Sequence, residues 1–305
     1  MHNPTQNVGR ANIGVVLTDP DDWTAKAFLK NIRKRGANAI PITLSTLSAS
    51  ISASAVSIFG VGAGVDLKEL ELDAILVRDV GISFALEEIS FKFDLLRQFE
   101  TVPVLNSTTA IQNAANKFLS FYLFKQAHLP IPGTVVTSNL EVAGRTLADF
   151  GTAIAKPIFG SQGKGISKLE STQPDLESTL VDILKERGVL YLQKFVQNPG
   201  RDIRVFVVGK EAPGAIYRIS QAGSFVSNLS QGGTPLTCDL TEEMQELALH
   251  AAKAIGADFA GVDLIESEDG LVLLEVNATP SGKGINLACG IDVTESIIDL
   301  MFSRI

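Results

Sequence analysis

Cysteine, basic charge and long apolar runs are all scarce in this chain of 305 residues. The two cysteines, Cys238 and Cys289, lie far apart and without the spacing of metal ligands, which fits a reducing compartment. No apolar run in the sequence approaches the length that spans a membrane. The polar start, MHNPTQNVGR, lacks the apolar segment of a secretion signal. We therefore expect a soluble cytoplasmic protein with no membrane partner.

The charge balance and the few histidines narrow the function further. Lysine and arginine number 26 against 34 acidic residues, and the net charge of −8 argues against a general nucleic-acid surface, although local basic pockets remain allowed. The three histidines, His2, His128 and His250, have no partner spacing and are expected to be surface or core residues. No Ser-His-Asp or Cys-His arrangement is evident, so the sequence does not indicate a side-chain nucleophile.

What is present is an ordinary globular composition, with 45% hydrophobic and 20% charged residues, and a length that suggests two or three domains. Strand and helix patterns alternate in the N-terminal third, which predicts a parallel sheet with helices on both faces. Strands are predicted over residues 12–19, 37–43, 73–78 and 102–105, and helices over 19–35 and 83–99. Residues 44–64 alternate only weakly, and no structure is predicted for them.

The end of the third predicted strand carries two charged residues, Arg78 and Asp79. Ligands of parallel sheets bind at the carboxyl ends of the strands, so these side chains are candidates for substrate contact. The alternative is that they form a charged strand terminus without a ligand. The sequence alone does not distinguish the two.

The rest of the chain has the pattern of α+β domains with antiparallel pairing. A long helix is predicted over residues 107–127, and the proline- and glycine-containing stretch 128–133 after it marks a domain junction. Further strands are predicted over residues 134–137, 152–156, 189–196, 202–208 and 214–220, and helices over 140–150, 174–187, 241–255 and 292–303.

The chain is organised around residues 261–284, GVDLIESEDGLVLLEVNATPSGKG. Two apolar runs flank the segment Glu-Asp-Gly at 268–270, which is typical of a hairpin with a three-residue loop that ends in glycine. A loop of that length pairs Ser267 with Leu271. Counting back along both strands from this pair then fixes which residues of the hairpin face each other.

This register places Asp263 opposite Glu275, with Asn277 on the same face because alternate residues of a strand point the same way. Like charges opposite each other on a sheet are unfavourable unless they are neutralised. Magnesium takes oxygen ligands and completes its shell with phosphates and waters, so a bound cation would resolve the repulsion. The alternative is an acidic sheet face exposed to solvent.

A second motif, KPIFGSQGKGI at residues 156–166, follows a predicted strand. Its three glycines allow the backbone to approach an anion closely, and Lys156 adds a positive charge for a phosphate. The order differs from a Walker A loop, in which the lysine follows the glycines and a helix begins. A flexible hairpin tip is the alternative. Together with the carboxylate hairpin, the loop supplies both halves of a magnesium–nucleotide site.

Four motifs in this order resemble the ATP-grasp ligases and, among them, the RimK-type α-L-glutamate ligases, over about residues 73–304. They read KPIFGSQGKGI, LQKFVQNPGRDIRVFVVG, SFVSNLSQGG and GVDLIE with LLEVNATPS. The resemblance implies mixed α/β and α+β architecture. An N-terminal parallel α/β domain would span residues 1–106, and two antiparallel-sheet subdomains, 107–196 and 197–305, would clamp ATP.

The resemblance also implies which residues contact the nucleotide. Contacts to its phosphates are expected from Lys117, Lys156, Gly160, Ser161, Gly163, Gly165, Ser227 and Asn228. A hinge formed by Gln193, Lys194 and Phe195 would present its backbone to the adenine, although many relatives carry glutamate at the position of Lys194. Asp202 would lie near the ribose, with Arg204 on the same strand face.

Catalytic roles follow from the same resemblance. Arg218 would clamp the transferred phosphoryl group, and Asp263, Glu275 and Asn277 would hold magnesium, with two ions expected and manganese as an alternative. Asn277 is counted among the catalytic residues for this reason. The alternative for the strand arginines, including Arg201, is that they pair with neighbouring acids.

The reaction implied is the ATP-dependent addition of L-glutamate, through its α-amine, to a carboxylate by way of an acyl phosphate. VRDVGISFALEEISFKFDLLRQFE and EVNATPSGKGINLACGIDV resemble archaeal-type coenzyme ligases, which favours tetrahydromethanopterin as acceptor. The deazaflavin coenzyme, a ribosomal protein tail and an amino-group carrier protein are the rival acceptors, and the net charge of −8 counts against the last. A non-catalytic ATP-binding regulatory module is the alternative of another class. Homo-oligomerisation and the general base are left open.

Overall fold

The computed structural model describes residues 11–60, 70–81, 85–160, 163–220 and 232–305. The N-terminal elements are β1 (Asn12–Val16), α1 (Trp23–Lys34), β2 (Asn38–Ile42), β3 (Leu47–Ile51), β4 (Val56–Gly60), β5 (Ala74–Val77), α2 (Leu86–Arg97) and β6 (Val104–Leu105). The middle elements are α3 (Thr108–Ala115), α4 (Lys117–Gln126), β7 (Thr134–Thr137), α5 (Leu140–Phe150), β8 (Thr152–Lys156), β9 (Ser167–Glu170), α6 (Leu176–Arg187) and β10 (Leu190–Lys194). The C-terminal elements are β11 (Arg201–Val208), β12 (Glu211–Ile219), β13 (Thr234–Cys238), α7 (Glu242–Ile255), β14 (Phe259–Ser267), β15 (Gly270–Asn277), α8 (Lys283–Cys289) and α9 (Val293–Phe302).

The predicted parallel sheet is confirmed, with strand order β2-β1-β5-β6. Alternate residues of its strands pack on opposite sides. Ile13 packs in one cluster with Phe28 of α1 and Ile298 of α9, whereas Val16 packs in another with Phe93 of α2. The sheet is therefore buried on both faces, as its continuous apolar strands predict.

The long helix predicted over residues 107–127 is wrong, because Asn116 divides it into α3 and α4. Asn116 has extended backbone angles, and its side-chain oxygen accepts a hydrogen bond from the N–H of Leu119 at 3.1 Å. An asparagine that caps a new helix in this way ends the previous one. The break places Lys117 in the first turn of α4, where its N–H donates to the carbonyl of Ile158 at 3.1 Å.

The middle sheet is antiparallel, with order β7-β10-β8-β9. One face packs on α5 and α6 through a cluster that includes Leu190 and Leu192. Gln193 alternates with Leu192 along β10, and Lys156 alternates along β8 with the residue that pairs with Leu192. Lys156 and Gln193 therefore belong to the opposite face. Both polar side chains therefore point away from the apolar cluster that anchors this sheet.

The C-terminal sheet is also antiparallel, with order β13-β12-β11-β14-β15. One face is apolar and packs on α7, and Phe121 and Phe124 of α4 join the same cluster. The other face carries charged residues, because Arg204 and Asp263 pair directly and alternate with buried apolar neighbours such as Val205 and Val262. This sheet thus supplies a charged surface on a rigid apolar support.

Several elements were not predicted. Within residues 44–64, the described part forms a 3₁₀ turn at Leu44–Thr46 and an antiparallel pair, β3 with β4. Strands β9 and β13 and helix α8 were also missed. Each is short, and none has the sustained apolar periodicity on which prediction from sequence depends.

Asn106 links the N-terminal sheet to the C-terminal one. Its fully buried side-chain amide donates to the carbonyls of Phe259 at 2.7 Å and Ala278 at 2.6 Å. Its side-chain oxygen accepts from the N–H groups of Asp258 at 2.5 Å and Phe259 at 3.2 Å.

The domain boundaries at residues 106 and 196 remain a prediction. Among the described residues, no helix is both long enough and apolar enough to cross a membrane.

We expect Asn106→Ala to lower the free energy of unfolding by about 3 kcal/mol, because it leaves buried backbone donors and acceptors unpaired. Asn113→Ala is the matched control, since the Asn113 side chain donates a single bond, to the Ile255 carbonyl at 3.1 Å, and should cost about 1 kcal/mol. Urea unfolding measures both. Equal losses in the two variants would contradict the linking role of Asn106.

Candidate active site

The loop between β14 and β15 is one residue shorter than predicted. Ser267 pairs with Gly270, so the predicted three-residue loop is wrong. Further along, the register shifts by one residue because Leu274 is left out of the pairing as a bulge. This shift restores the predicted pair, and Asp263 does lie opposite Glu275. The sequence-based register was therefore right at the site although it was wrong at the turn.

Four positions of the hairpin form a square on one face of the sheet. Asp263 lies opposite Glu275, and Gly261 lies opposite Asn277. Three corners thus carry side-chain oxygens. The fourth lacks a side chain, and Arg204 fills its space, since a Cβ at Gly261 would lie 2.8 Å from Arg204 Nη1 and 2.9 Å from Arg204 Cδ.

Two arginines bind Asp263. Arg204 Nε donates to Asp263 Oδ1 in a short contact, and Arg204 Nη2 donates to Oδ2 at 2.9 Å. Arg218 Nη2 lies 2.8 Å from Asp263 Oδ2. The same guanidinium also forms a two-bond fork with Asp202, with both distances 2.6 Å. Two acids and two arginines therefore alternate across β12, β11 and β14.

The alternating set of Asp202, Arg218, Asp263 and Arg204, here called the ladder, is largely buried. Asp202, Arg218 and Asp263 are 7%, 5% and 6% exposed. Burial alone would raise the pKa of Asp263, but attraction to Arg204 and Arg218 outweighs burial and holds its pKa below the usual range. Burial likewise disfavours the charged form of Arg218, yet attraction to Asp263 and Asp202 raises its pKa. Asp263 and Arg218 therefore both stay charged despite their burial.

The alternative raised for the strand arginines, that they pair with neighbouring acids, describes what the structure contains. Besides the ladder, Arg201 forms a fork with Glu266 at 2.8 and 3.0 Å, and its guanidinium lies 3.9 Å from the ring centre of Tyr217. The argument that the carboxylates need a cation holds, but in this structure arginines supply the positive charge at Asp263.

Two lysines lie near the square, Lys117 at the start of α4 and Lys156 at the end of β8. Lys117 Nζ lies 3.8 Å from Glu275 Oε1 and donates to the carbonyl of Gly160 at 2.7 Å. Lys156 Nζ donates to Gln193 Oε1 at 2.7 Å. Burial lowers the pKa of Lys156 to about 8, although attraction to Glu275 acts the other way. Positive and negative side chains therefore lie together here, and Lys156 lines the cleft.

The glycine-rich loop is held at both ends. Lys117 binds the Gly160 carbonyl, and Arg187 Nη2 donates to the Gly165 carbonyl at 2.9 Å. Gly163 and Gly165 have φ of 72° and 71°, a backbone that favours glycine. Sequence reasoning missed Arg187, whose signal was only a basic residue in the last turn of α6. Three predicted site residues, Ser161, Ser227 and Asn228, lie outside the described residues.

At the predicted hinge, two backbone N–H groups are already engaged. Lys194 donates to the carbonyl of Gly133 at 2.8 Å, and Phe195 donates to that of Thr152 at 3.0 Å. Lys168 Nζ lies 4.6 Å from the ring centre of Phe195. A hydrogen-bond donor to a bound adenine would therefore have to be another group. Val196, the next residue in the chain, lines the cleft.

The two antiparallel sheets enclose a cleft with about 780 Å³ of empty space, part of it open to solvent. The middle sheet contributes Lys156 and Gln193 to its wall, and the C-terminal sheet contributes Asp202, Arg218, Asp263 and Glu275. Seven of the predicted nucleotide and metal residues thus line one space: Lys156, Gln193, Lys194, Phe195, Asp202, Asp263 and Glu275.

Arg78 and Asp79, the candidates for substrate contact, are both engaged within the protein. Arg78 donates to both carboxylate oxygens of Asp22, at 2.7 and 3.2 Å, and to the carbonyl of Thr279 at 3.2 Å. Asp79 accepts from the N–H of Gly81 at 3.1 Å. Arg78 nevertheless reaches the segment that follows Asn277, so it lies next to the square rather than at an unrelated edge.

The donor set of the square fits a hard cation in kind. Asp263 and Glu275 offer carboxylates, and Asn277 offers an amide oxygen that also accepts from the N–H of Thr279 at 2.8 Å. In the described ranges no group of three histidines, cysteines or acids has the arrangement of a metal site, and the square contains only two acids. One of the arginine contacts to an Asp263 oxygen would have to break before that oxygen could bind a cation.

Comparison with known proteins agrees with this geometry. A family model described as the RimK-like ATP-grasp domain matches residues 114–301, which contain both sheets of the cleft. The chain belongs to this family. Family members are ATP-dependent ligases, and the family generally uses ATP and magnesium.

Curated relatives and solved structures extend the match. The tetrahydromethanopterin:alpha-L-glutamate ligase of Methanosarcina acetivorans is 44% identical over 95% of this chain and 98% of its own. The enzyme of the same name from Methanocaldococcus jannaschii is 40% identical over 75% of this chain and 79% of its own. The ATP-grasp ligase PsnB, in complex with a minimal precursor, has a TM-score of 0.75 at 22% identity, covering 97% of this chain and 99% of that one. The predicted ATP-grasp fold is confirmed.

The lowered pKa of Lys156 predicts a pH-dependent stability. Its folded value of about 8 lies below the ordinary 10.5, so between these values the unfolded chain binds more protons and stability rises with pH. Relative to Lys156→Met, the free energy of unfolding of the unsubstituted protein should rise by about 2 kcal/mol between pH 7.5 and 9.5. Urea unfolding of both proteins at the two pH values measures this. A constant difference between them would contradict the assignment.

Proposed function

We propose that the protein is an ATP-dependent ligase that adds L-glutamate to a pterin coenzyme such as tetrahydromethanopterin. The observation that carries this proposal is the 44% identity to a tetrahydromethanopterin:alpha-L-glutamate ligase over nearly the full length of both chains. The likeness extends beyond the shared ATP-grasp region into the N-terminal domain, where an acceptor-specific surface is expected. PsnB supports the fold alone at 22% identity.

In the proposed reaction, ATP transfers its terminal phosphoryl group to a carboxylate oxygen of the acceptor, which gives ADP and an acyl phosphate. The α-amine of glutamate then attacks the acyl carbon, the carbon–nitrogen bond forms and phosphate leaves. The amine also loses a proton, and none of the described residues is assigned as its base. Phosphoryl transfer mainly needs alignment and charge neutralisation, which the lysines and arginines of the cleft can supply.

We assign phosphate contacts to Lys117, Lys156 and the loop that contains Gly160, Gly163 and Gly165. Lys117 at present binds a loop carbonyl at 2.7 Å, so it would exchange that carbonyl for a phosphate oxygen. Ser161, Ser227 and Asn228 are proposed as further phosphate contacts. Gln193, Lys194 and Phe195 stay as the hinge beside the adenine, with the Val196 N–H as an added donor.

We assign the transferred phosphoryl group to Arg218. Its fork with Asp202, at 2.6 Å for both bonds, gives Asp202 an orienting role in addition to the predicted place near the ribose. Truncation to alanine would leave two buried carboxylates short of a counter-charge, so a loss of activity in Arg218→Ala would combine unfolding with lost chemistry.

Asp263, Glu275 and Asn277 would hold magnesium, with a second ion expected and manganese as an alternative. The bound metal would neutralise phosphate charge during transfer. The cytoplasm is the proposed location, and no nucleic-acid or membrane partner is expected. The deazaflavin coenzyme, a ribosomal protein tail and an amino-group carrier protein remain alternative acceptors.

Purified protein incubated with ATP, magnesium, labelled L-glutamate and a panel of acceptors tests the proposal. We expect ADP release that requires both glutamate and an acceptor, with the label incorporated into tetrahydromethanopterin. The deazaflavin coenzyme, a ribosomal tail peptide and an amino-group carrier protein serve as comparison acceptors. Label in one of these instead would overturn the pterin assignment. Nucleotide binding without ADP release under any of these conditions would favour the regulatory module.

A further inference from the structure

Arg204 has a contact pattern that distinguishes it from Arg201 and Arg218, the other arginines of the C-terminal sheet. Its guanidinium lies over Gly261, and its Nε and Nη2 both donate to Asp263. In the part of the chain that the structure describes, Asp263 is the carboxylate that Arg204 pairs with. Arg218 differs, because it holds Asp202 with a separate fork and could leave Asp263 without losing its main partner.

The position of Arg204 matters because Asp263 is proposed to be a metal ligand. The guanidinium fills the corner of the square that has no side chain, next to the three oxygen-bearing corners. The Asp263 oxygens are engaged by Arg204 and Arg218. A cation and the Arg204 guanidinium would compete for these oxygens, since both positive charges would lie within a few ångströms in a poorly screened site.

We propose that Arg204 is the resident counter-ion of Asp263, and that Asp263 exchanges this arginine for a divalent cation when nucleotide binds. The inference rests on the proposed function, because it assumes that Asp263 is a metal ligand. It assigns Arg204 a positioning role in addition to the predicted contact with the nucleotide. It also makes cation affinity low in the absence of nucleotide.

Nucleotide would favour the exchange for a simple electrostatic reason. A guanidinium that leaves Asp263 needs another anion, and a planar guanidinium matches two oxygens of a phosphate. The cleft between the sheets extends from Asp263 to Lys156, on the side where phosphates are proposed to bind. Phosphates placed there accept the released charge, so cation and nucleotide affinities are coupled through one arginine.

Gly261, on the strand next to that of Arg204, supports this assignment. Any side chain at this position would collide with Arg204, since its Cβ would lie 2.8 Å from Nη1, and with Pro280 Cβ at 3.0 Å. The absence of a side chain is what allows the guanidinium to lie flat beside Asp263. The glycine therefore makes room for the arginine at the site where the cation is expected.

Manganese binding without nucleotide tests the proposal, with free Mn²⁺ followed by its electron paramagnetic resonance signal. We expect Arg204→Met to bind Mn²⁺ about tenfold or more tightly than the unsubstituted protein, because a charge-assisted pair no longer competes. Arg201→Met is the matched control. It removes the same charge from the same strand, but its partner is Glu266, and its affinity should stay within about twofold.

Two further variants keep the test decisive. Arg204→Met combined with Asp263→Asn should lose the gain, because the added affinity depends on the Asp263 carboxylate. Arg204→Lys retains the charge without the fork and should show a smaller gain, so it serves if the methionine variant does not fold. Equal Mn²⁺ affinity in the Arg204 and Arg201 variants, or a gain that survives Asp263→Asn, overturns the proposal.

A separate arm tests the metal assignment on which the inference rests. Mn²⁺ binding is measured with a non-hydrolysable ATP analogue in the unsubstituted protein and in Asp263→Asn. Loss of the bound ion in the variant supports Asp263 as a ligand, whatever the Arg204 result. Full retention overturns the metal assignment itself, whereas the Arg204 comparison alone decides the exchange.

Discussion

Buried carboxylates need positive charge beside them, and this constraint governs the charged face of the C-terminal sheet. Asp263 and Glu275 face each other across a strand pair, and Asp202 lies on the same face, on the neighbouring strand β11. Without partners, three acids on one largely buried surface would repel and be poorly solvated. Arg204 and Arg218 resolve the problem at Asp202 and Asp263, and Lys117 does so less closely at Glu275.

The same arrangement suits the cleft for a ligand that carries its own charges. Asp202, Asp263 and Glu275 each have a positively charged partner within the protein, so their neutralisation does not depend on nucleotide. A nucleotide with its metal ion brings both signs, and each resident pair can then exchange partners at little cost. Lys117 can move from a loop carbonyl to phosphate, and Asp263 can move from arginine to metal. Binding would therefore replace existing contacts rather than create charge in a poorly screened interior.

Sequence reasoning found the features that local chemistry determines. Alternation placed Asp263, Glu275 and Asn277 on one face, and the glycine loop after Lys156 was visible as a pattern. The predicted turn was one residue too long, and the register at Asp263 was nevertheless right because the bulge at Leu274 compensated for the error. A bulge leaves no clear trace in sequence. The split at Asn116 was missed because an asparagine side chain can cap a helix or lie within one. Contacts such as Arg187 with Gly165 and Asn106 with Phe259 join distant segments, so no local pattern could reveal them.

The central claim is that the cleft activates a carboxylate by phosphorylation before an amine attacks it. Turnover with an acceptor whose reacting carboxylate carries ¹⁸O in both oxygens tests this most directly, with the released phosphate analysed by mass spectrometry. An acyl phosphate transfers one carboxylate oxygen to phosphorus, so each phosphate should contain a single ¹⁸O atom. Unlabelled phosphate alongside the amide product would contradict the account.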